Sequence, residues 1–211
     1  MNNKKVLIII RGAKPLDHFK SNLLENSKKL ILKKLSTKKG FVKENYLKLA
    51  KYLSKYYDKV LLLKWDGDII KNPSLSIPIQ ELKQLLKKLK NVDIDIIAVS
   101  LGGYILEKAL QKKRLNKINK ILYIGAVHNS KQLIGGANKI INVYSTSDNM
   151  FFFSNSIVEG FGNFVLKGKN VINIALDNLT HDSLLQNKRI KQYGLKEKSL
   201  YELYKNLLTK S

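Results

Sequence analysis

Short, continuous runs of hydrophobic residues alternate along this chain with longer segments in which hydrophobic residues recur every three or four positions. A continuous β-branched run is typical of a strand buried on both faces, whereas the longer period is typical of an amphipathic helix. The runs predict strands at Val6–Ile10, Lys59–Trp65, Ile94–Val99, Lys120–Ala126, Ile140–Ser145 and Val171–Leu176.

The remaining segments predict helices and a layered fold. Because strands and helices alternate, the chain is predicted to be an α/β protein, with a mostly parallel sheet of about six strands covered by helices on both faces. Neither an internal repeat nor a Gly/Ser-rich linker interrupts residues 1–211, which predicts a single domain. Residues 17–39 are expected to form one or two short, lysine-coated helices. Longer helices are expected at Phe41–Tyr57, Ile79–Leu89, Tyr104–Lys112, Asp182–Tyr193 and Lys198–Leu208.

A serine stands at an abrupt junction between the third predicted strand and the helix that follows it. The stretch reads IDIIAVSLGGYIL, so Ser100 directly follows the apolar run, and Gly102 and Gly103 come next. A side chain on such a corner is lifted away from the backbone, and this geometry defines a nucleophile elbow. The usual motif is G-x-S-x-G, and Ala98 replaces its first glycine here. A helix N-cap is the ordinary structural alternative for this serine.

An aspartate and a histidine follow other strands of the same predicted sheet. Asp148 comes after the fifth strand and His181 after the sixth. Because the carboxyl ends of parallel strands meet at one edge, both are expected near Ser100, in the chain order Ser, Asp, His. A structural Asx-turn is the alternative for the aspartate. Other candidates are Asp66, Asp177 and Asp182 for the acid and His18 and His128 for the base.

Four stretches carry a family resemblance: VLIIIRGA, IDIIAVSLGGYIL, INVYSTSDNMF and INIALDNLTHDSLL. Over nearly its whole length, the chain resembles a small member of the α/β-hydrolase superfamily, on the serine esterase and lipase side. The resemblance implies that Ser100 is the nucleophile, His181 the general base and acid, and Asp148 the group that orients the imidazole. It also implies an oxyanion hole made by the backbone N–H groups of Leu101 and Ala13.

The resemblance predicts a serine hydrolase that cleaves a carboxylic ester, in particular a lipid or other acyl ester, through an acyl-enzyme on Ser100. A thioesterase or an amidase would use the same triad. Outside the enzymes, the alternative is a catalytically silent binding protein with this fold at an anionic surface. Two residues depart from the family's pattern: Ala98 at the elbow, and Arg11 where histidine often precedes glycine.

Charge narrows the range of partners. The 211 residues carry a net charge of +23, yet only three of the 39 basic residues are arginines. Nucleic-acid readers lean on arginine, so this composition does not favour nucleic-acid binding. The expected partner is a small acyl ester. Lysine rises together with asparagine and isoleucine, as expected from an AT-rich genome, so the charge is interpreted as compositional, with a weak association with anionic membrane surfaces as the alternative. Residues 17–39 are a candidate small cap or a segment that rests on a membrane. The alternative is that they form a surface helix that covers the sheet edge.

Cofactors and targeting signals have no support in the sequence. Cysteine is absent and only three histidines occur, so neither a disulfide nor a zinc site is expected. The glycines do not form a phosphate-binding loop, so no nucleotide cofactor is expected. The first apolar run, Val6–Ile10, is too short for a signal peptide, which predicts a cytoplasmic protein.

Overall fold

A computed structural model describes residues 4–13, 41–63, 65, 75–89, 92–110, 118–128, 137–148, 165–190 and 198–210. The predicted strands are confirmed, and their ends differ from the predicted ones by three residues or fewer. These strands are β1 (Lys5–Ile10), β2 (Lys59–Leu62), β3 (Asp93–Val99), β4 (Ile118–Ile124), β5 (Ala137–Ser145) and β6 (Val171–Leu176).

The strands form one six-stranded sheet in the order β2-β1-β3-β4-β5-β6. Every neighbouring pair is parallel, so the predicted α/β class is confirmed. All carboxyl ends therefore lie at the same edge of the sheet, and the residues that follow the strands are brought together there.

Four α-helices accompany the sheet within the described stretches. They are α1 (Phe41–Leu53), α2 (Ser76–Lys88), α3 (Gly102–Leu110) and α4 (Leu200–Thr209). The predicted first long helix is shorter than expected, because a 3₁₀ turn at Ser54–Tyr56 follows α1. The helices predicted within residues 17–39 lie outside the described residues. None of the described helices is long and apolar enough to cross a membrane.

The helices cover both faces of the sheet, as alternate residues of β1 illustrate. Ile8 and Ile10 belong to a first core that they share with α2 and α3. Leu7 and Ile9 belong to a second core that they share with α1 and α4. The helix residues of the first core include Leu82, Leu86, Ile105, Leu106 and Ala109, and those of the second core include Tyr46, Leu49, Leu53, Leu203 and Tyr204.

One predicted helix, Asp182–Tyr193, is wrong over its described part. A 3₁₀ helix occupies His181–Leu185 instead. Residues 186–190, the part of the predicted helix that follows it and that the structure describes, are not helical, and Arg189 forms an isolated antiparallel bridge with Ser199.

Tertiary packing explains why the helix stops. A continuing α-helix would need the carbonyls of Leu184 and Leu185 as acceptors for its next turn. The Leu184 carbonyl instead accepts a hydrogen bond from the Tyr204 hydroxyl at 2.6 Å. The Leu185 carbonyl accepts one from the Tyr201 hydroxyl at 3.2 Å. Both tyrosines belong to α4, so the local helical pattern is overridden by a long-range contact.

A buried aspartate organises the opposite, amino-terminal edge of the sheet. Asp95 in β3 accepts hydrogen bonds from the Tyr57 hydroxyl (2.7 Å), the Lys120 N–H (3.0 Å) and the Asn119 amide (3.1 Å). Burial and the Asp95 charge raise the pKa of Tyr57, so its hydroxyl keeps its proton and remains a donor. The Lys120 ammonium in turn donates to the Leu207 carbonyl of α4 at 3.4 Å. This network joins β3, β4 and α4 to Tyr57, which follows the 3₁₀ turn after α1.

The substitution Asp95→Ala tests this network. It leaves the Tyr57 hydroxyl and the Lys120 N–H buried without their acceptor, and each such loss costs about 1–3 kcal/mol. The free energy of unfolding, measured by urea denaturation, is expected to fall by about 3 kcal/mol. Asp93→Ala is the matched control, because it removes a partly exposed carboxylate from the same strand. Equal losses in the two variants would contradict the role assigned to Asp95.

Candidate active site

Ser100 lies on the corner between β3 and α3, in a strained backbone conformation. Its φ is 50°, in the left-handed region that non-glycine residues occupy at a cost of about 1–3 kcal/mol. Its N–H donates to the Ile124 carbonyl (3.2 Å), and its carbonyl accepts from the N–H groups of Gly103 (3.0 Å) and Val127 (2.9 Å). An N-cap residue typically has an extended backbone, whereas a nucleophile elbow is a sharp, strained turn, so this conformation favours the elbow interpretation.

Glycine is required at the elbow because three backbones pass one another closely. A Cβ atom on Gly102 would lie 2.5 Å from the carbonyl oxygen of Ile10, and one on Gly103 would lie 2.7 Å from that of Val127. Neither distance leaves room for a side chain. Ala98, which replaces the first glycine of the motif, is fully buried and packs in the first core. The fold therefore accommodates this departure from the usual motif.

The turn after β1 runs beside the Ser100 side chain. A Cβ atom on Gly12 would lie only 3.2 Å from the Ser100 Oγ. The Gly12 N–H donates to the Tyr46 hydroxyl (2.9 Å), and the Trp65 indole N–H donates to the Arg11 carbonyl (3.1 Å). The local sequence pattern indicated only a helix residue for Tyr46 and a strand residue for Trp65. Their part in fixing this turn depends on contacts that span 34 and 54 residues.

The Gly12 N–H is thus occupied, and the predicted oxyanion donors remain the N–H groups of Ala13 and Leu101. Burial raises the pKa of Tyr46 to about 12, against the lowering effects of the Gly12 N–H and the Arg11 charge. The hydroxyl is therefore neutral at physiological pH. The guanidinium carbon of Arg11 lies 5.9 Å from the centre of the Tyr46 ring. The second departure from the family's pattern thus places a permanent cation beside the turn.

Asp148 and His181, which follow β5 and β6, form a hydrogen-bonded pair. The distance between Nδ1 of His181 and Oδ2 of Asp148 is 2.7 Å. The aspartate side chain is fully buried, whereas the histidine side chain is 19% exposed. An ionised carboxylate can only accept, so with Asp148 ionised Nδ1 carries the proton and Nε2 is left as the basic nitrogen. The structure therefore brings two of the three predicted triad residues into direct contact.

The environment shifts the pKa of His181 in opposing directions. Burial acts to lower it, but the hydrogen bond and the charge of Asp148, together with the charge of Asp182, outweigh burial. The net result is a pKa raised above the ordinary value of 6.5. The imidazole therefore takes up a proton more readily than an isolated histidine does.

Gly125, directly after β4, connects the Asp148–His181 pair to the elbow. Its φ is 48°, and a Cβ atom there would lie 3.3 Å from Nδ1 of His181 and 3.4 Å from Oδ2 of Asp148. Two residues later, the Val127 N–H donates to the Ser100 carbonyl. The stretch 125–127 therefore touches both halves of the predicted triad. The only signal for it in the sequence was a glycine at the end of a strand.

The two acid candidates that follow β6 are more exposed than Asp148. Asp177 and Asp182 are exposed, and Asp148 occupies Nδ1 of His181. Asp66 and His18 lie outside the described residues.

His128 has a carboxylate partner that the sequence did not predict. Its Nδ1 lies 2.7 Å from Oε1 of Glu107, and both side chains are buried. Glu107 is on α3, one helical turn beyond Gly103. A glutamate among the buried positions of an amphipathic helix was the available signal.

A hydroxyl, an imidazole and a buried carboxylate thus lie at the carboxyl edge of the sheet. Among the residues described, no three histidine, cysteine, aspartate or glutamate side chains form a group that could hold a metal ion. In comparisons with known proteins, no family model matches the chain and no curated protein matches its sequence.

Proposed function

We propose that this protein is a serine hydrolase that cleaves a carboxylic ester through an acyl-enzyme on Ser100. One observation carries the proposal: a serine at a φ of 50° stands at the same sheet edge as a hydrogen-bonded Asp148–His181 pair. A strained serine alone, or a histidine–carboxylate pair alone, has structural explanations. Their meeting at one edge, in the chain order Ser, Asp, His, is what supports catalysis.

The chemistry follows from the three groups. A serine hydroxyl is hardly ionised at neutral pH, so Nε2 of His181 takes its proton as Oγ attacks the ester carbonyl carbon. Asp148 keeps Nδ1 protonated and stabilises the imidazolium. The imidazolium then returns the proton to the departing alcohol oxygen, which leaves an acyl group on Ser100. Water, deprotonated by the same imidazole, releases the acid and restores the hydroxyl.

Charge on the tetrahedral intermediate would be held by the backbone N–H groups of Leu101 and Ala13. The first follows the nucleophile directly, and the second lies in the turn whose Gly12 adjoins Oγ. One such donor contributes about 3 kcal/mol of transition-state stabilisation.

We propose a lipid or other acyl ester as the substrate. The resemblance to the serine esterases and lipases of the α/β-hydrolase superfamily supports this class. A thioester or an amide would pass through the same steps, so a thioesterase or amidase is the alternative within the enzymes. A panel of acyl esters, thioesters and amides of matched chain length would separate them.

A fluorophosphonate reagent, which reacts with activated serines, tests the nucleophile. Wild-type protein is expected to become labelled and to hydrolyse p-nitrophenyl esters. Ser100→Ala is expected to lose the label and on the order of 10⁶-fold in kcat, because the acyl acceptor is gone. Ser54→Ala is the control, since its exposed hydroxyl donates only to the Lys51 carbonyl. Unlabelled but folded wild-type protein, or equal labelling of Ser100→Ala, would refute the proposal.

The pH profile tests the Asp148–His181 pair. The base must be neutral to act, so kcat/KM is expected to fall on acidification with an apparent pKa above 6.5, because the pKa of His181 is raised. Asp182→Asn removes one raising charge, so this pKa moves down while activity remains. Asp148→Asn removes the hydrogen bond as well, so the pKa moves further and kcat drops on the order of 10⁴-fold.

Asp177→Asn is the matched control for the choice of acid. Asp177, like Asp148, follows a strand of the sheet, but it is exposed. It is expected to keep the wild-type rate and profile. The reverse result, with Asp177→Asn inactive and Asp148→Asn active, would assign the acid to Asp177.

A second candidate function is that of a silent binding protein at an anionic membrane surface, and a basic groove supports it. The groove has a volume of about 530 Å³. Lys48 and Lys51 lie on α1, and Lys55 lies in the 3₁₀ turn that follows it. Lys48 forms an ion pair with Glu44 at 2.7 Å. The lining residues are Asn45, Lys48, Lys51, Tyr52, Lys55, Gln186, Asn187 and Tyr201.

Co-sedimentation with vesicles tests the groove. Wild-type protein is expected to bind phosphatidylserine-containing vesicles more strongly than pure phosphatidylcholine vesicles, and less strongly at high salt. Each lysine near the surface contributes about 1 kcal/mol, so the double variant Lys51→Gln/Lys55→Gln is expected to bind about 30-fold more weakly. Lys87→Gln/Lys88→Gln on α2 removes the same charge elsewhere and serves as the control. Binding indifferent to lipid charge would exclude this function.

A further inference from the structure

A second histidine–carboxylate pair, Glu107–His128, lies beside the predicted triad and is not used by it. Nδ1 of His128 is 2.7 Å from Oε1 of Glu107. The histidine side chain is 7% exposed and the glutamate side chain 6%. The imidazole also meets the Tyr123 ring edge-on, with 4.7 Å between the ring centres. The pair is therefore enclosed in the first core, against α3.

The contact with Glu107 supplies the polar restraint on the His128 ring. The other ring nitrogen, Nε2, is buried and has no hydrogen-bond partner in the part of the chain that the structure describes. Buried polar atoms are normally paired, and this nitrogen is an exception. No hydrogen bond from a described residue therefore holds the ring at Nε2. The bond between Nδ1 and Glu107 thus fixes the ring.

His128 is directly attached to the segment that holds the elbow. The preceding residue, Val127, donates its N–H to the Ser100 carbonyl at 2.9 Å. Val127 also lies against Gly103, where a Cβ atom would be 2.7 Å from the Val127 carbonyl oxygen. His128 follows Val127 in the chain, and Glu107 lies one helical turn beyond Gly103. The bond between His128 and Glu107 therefore links the two segments that meet where Val127 contacts the elbow.

The amino-terminal end of the segment 125–128 lies beside His181, the proposed base. Gly125 lies against the bonded atoms of Asp148 and His181. A shift of residues 125–128 would therefore change the position of Ser100 relative to His181.

We propose that Glu107 and His128 are positioning residues: by fixing His128 to α3, they hold the Ser100 carbonyl and the Asp148–His181 pair in register. The inference rests on the proposed hydrolase function. In this proposal both residues act through Val127.

The choice of a polar pair fits this role. A buried ion pair is often no more stabilising than apolar residues of similar volume. A hydrogen bond between two defined atoms does, however, fix one arrangement, whereas apolar side chains tolerate several. Since a displacement of about 1 Å can cost on the order of 10²-fold in rate, a defined arrangement favours catalysis even without added stability.

Steady-state kinetics of three variants provide the first test. Glu107→Leu is expected to lower kcat on the order of 10²-fold with KM unchanged, because alignment and not substrate binding is lost. Glu107→Gln keeps an acceptor oxygen and is expected to restore most of the rate. The double variant Glu107→Leu/His128→Phe, which replaces the pair by apolar groups, is expected to regain stability and remain slow. A double variant with the wild-type kcat would overturn the proposal.

Asp95→Ala separates positioning from general destabilisation. It weakens the fold at the far edge of the sheet and is expected to keep the wild-type kcat wherever it is folded. If Asp95→Ala loses kcat as Glu107→Leu does, the effect is a general one and the positioning role is wrong.

Amide hydrogen exchange read by NMR tests the pair without relying on activity. The Val127 and Gly103 amides, which both donate to the Ser100 carbonyl, are expected to exchange faster in Glu107→Leu than in wild-type protein and to keep the wild-type rate in Asp93→Ala. Unchanged exchange in Glu107→Leu would overturn the proposal. Failure of fluorophosphonate labelling in wild-type protein would overturn the hydrolase function instead, so the two failures are distinguishable.

Discussion

The two amide hydrogen bonds accepted by the Ser100 carbonyl are the contacts on which the candidate site depends. One comes from Gly103 within the elbow and the other from Val127 after β4. A serine at a φ of 50° is unfavourable by itself and persists only where its surroundings determine it. Tight glycine contacts with β1 and with the segment after β4 supply that determination. The strained corner is thus a property of three strand ends together and not of the motif alone.

Much of this arrangement could be predicted because parallel sheets simplify the problem. Continuous apolar runs predict the strands, and the rule that parallel strands end at one edge predicts that Ser100, Asp148 and His181 lie at the same edge. The hydrogen bond between Asp148 and His181 is the outcome that this rule anticipates. This prediction requires no motif that contains all three residues and no fixed spacing between them, because the parallel topology brings distant strand ends to one edge.

What the sequence could not provide are contacts set by packing between distant elements. Tyr46 fixes the turn at Gly12 through a bond across 34 residues, and nothing in the amphipathic pattern of its helix distinguishes it from Leu49. The helix expected from Asp182 failed because tyrosine hydroxyls of α4 occupy the carbonyls it would have used. The contacts of Glu107 and Gly125 cannot be predicted for the same reason: each residue has an ordinary local sequence, and its partner is distant in the chain.

Three buried carboxylates differ in their partners and in the edge of the sheet at which they lie. Asp95, at the amino edge, accepts hydrogen bonds from three neutral donors, and the Lys5 ammonium lies 3.6 Å from its Oδ2. Asp148 and Glu107, at the carboxyl edge, each have an oxygen 2.7 Å from Nδ1 of one imidazole. The two histidines bonded to these carboxylates differ in exposure. His181 keeps 19% of its side chain accessible and can meet a substrate, whereas His128 at 7% is enclosed. In the two roles proposed, the same chemical unit acts on a substrate on one side of the elbow and holds the backbone on the other.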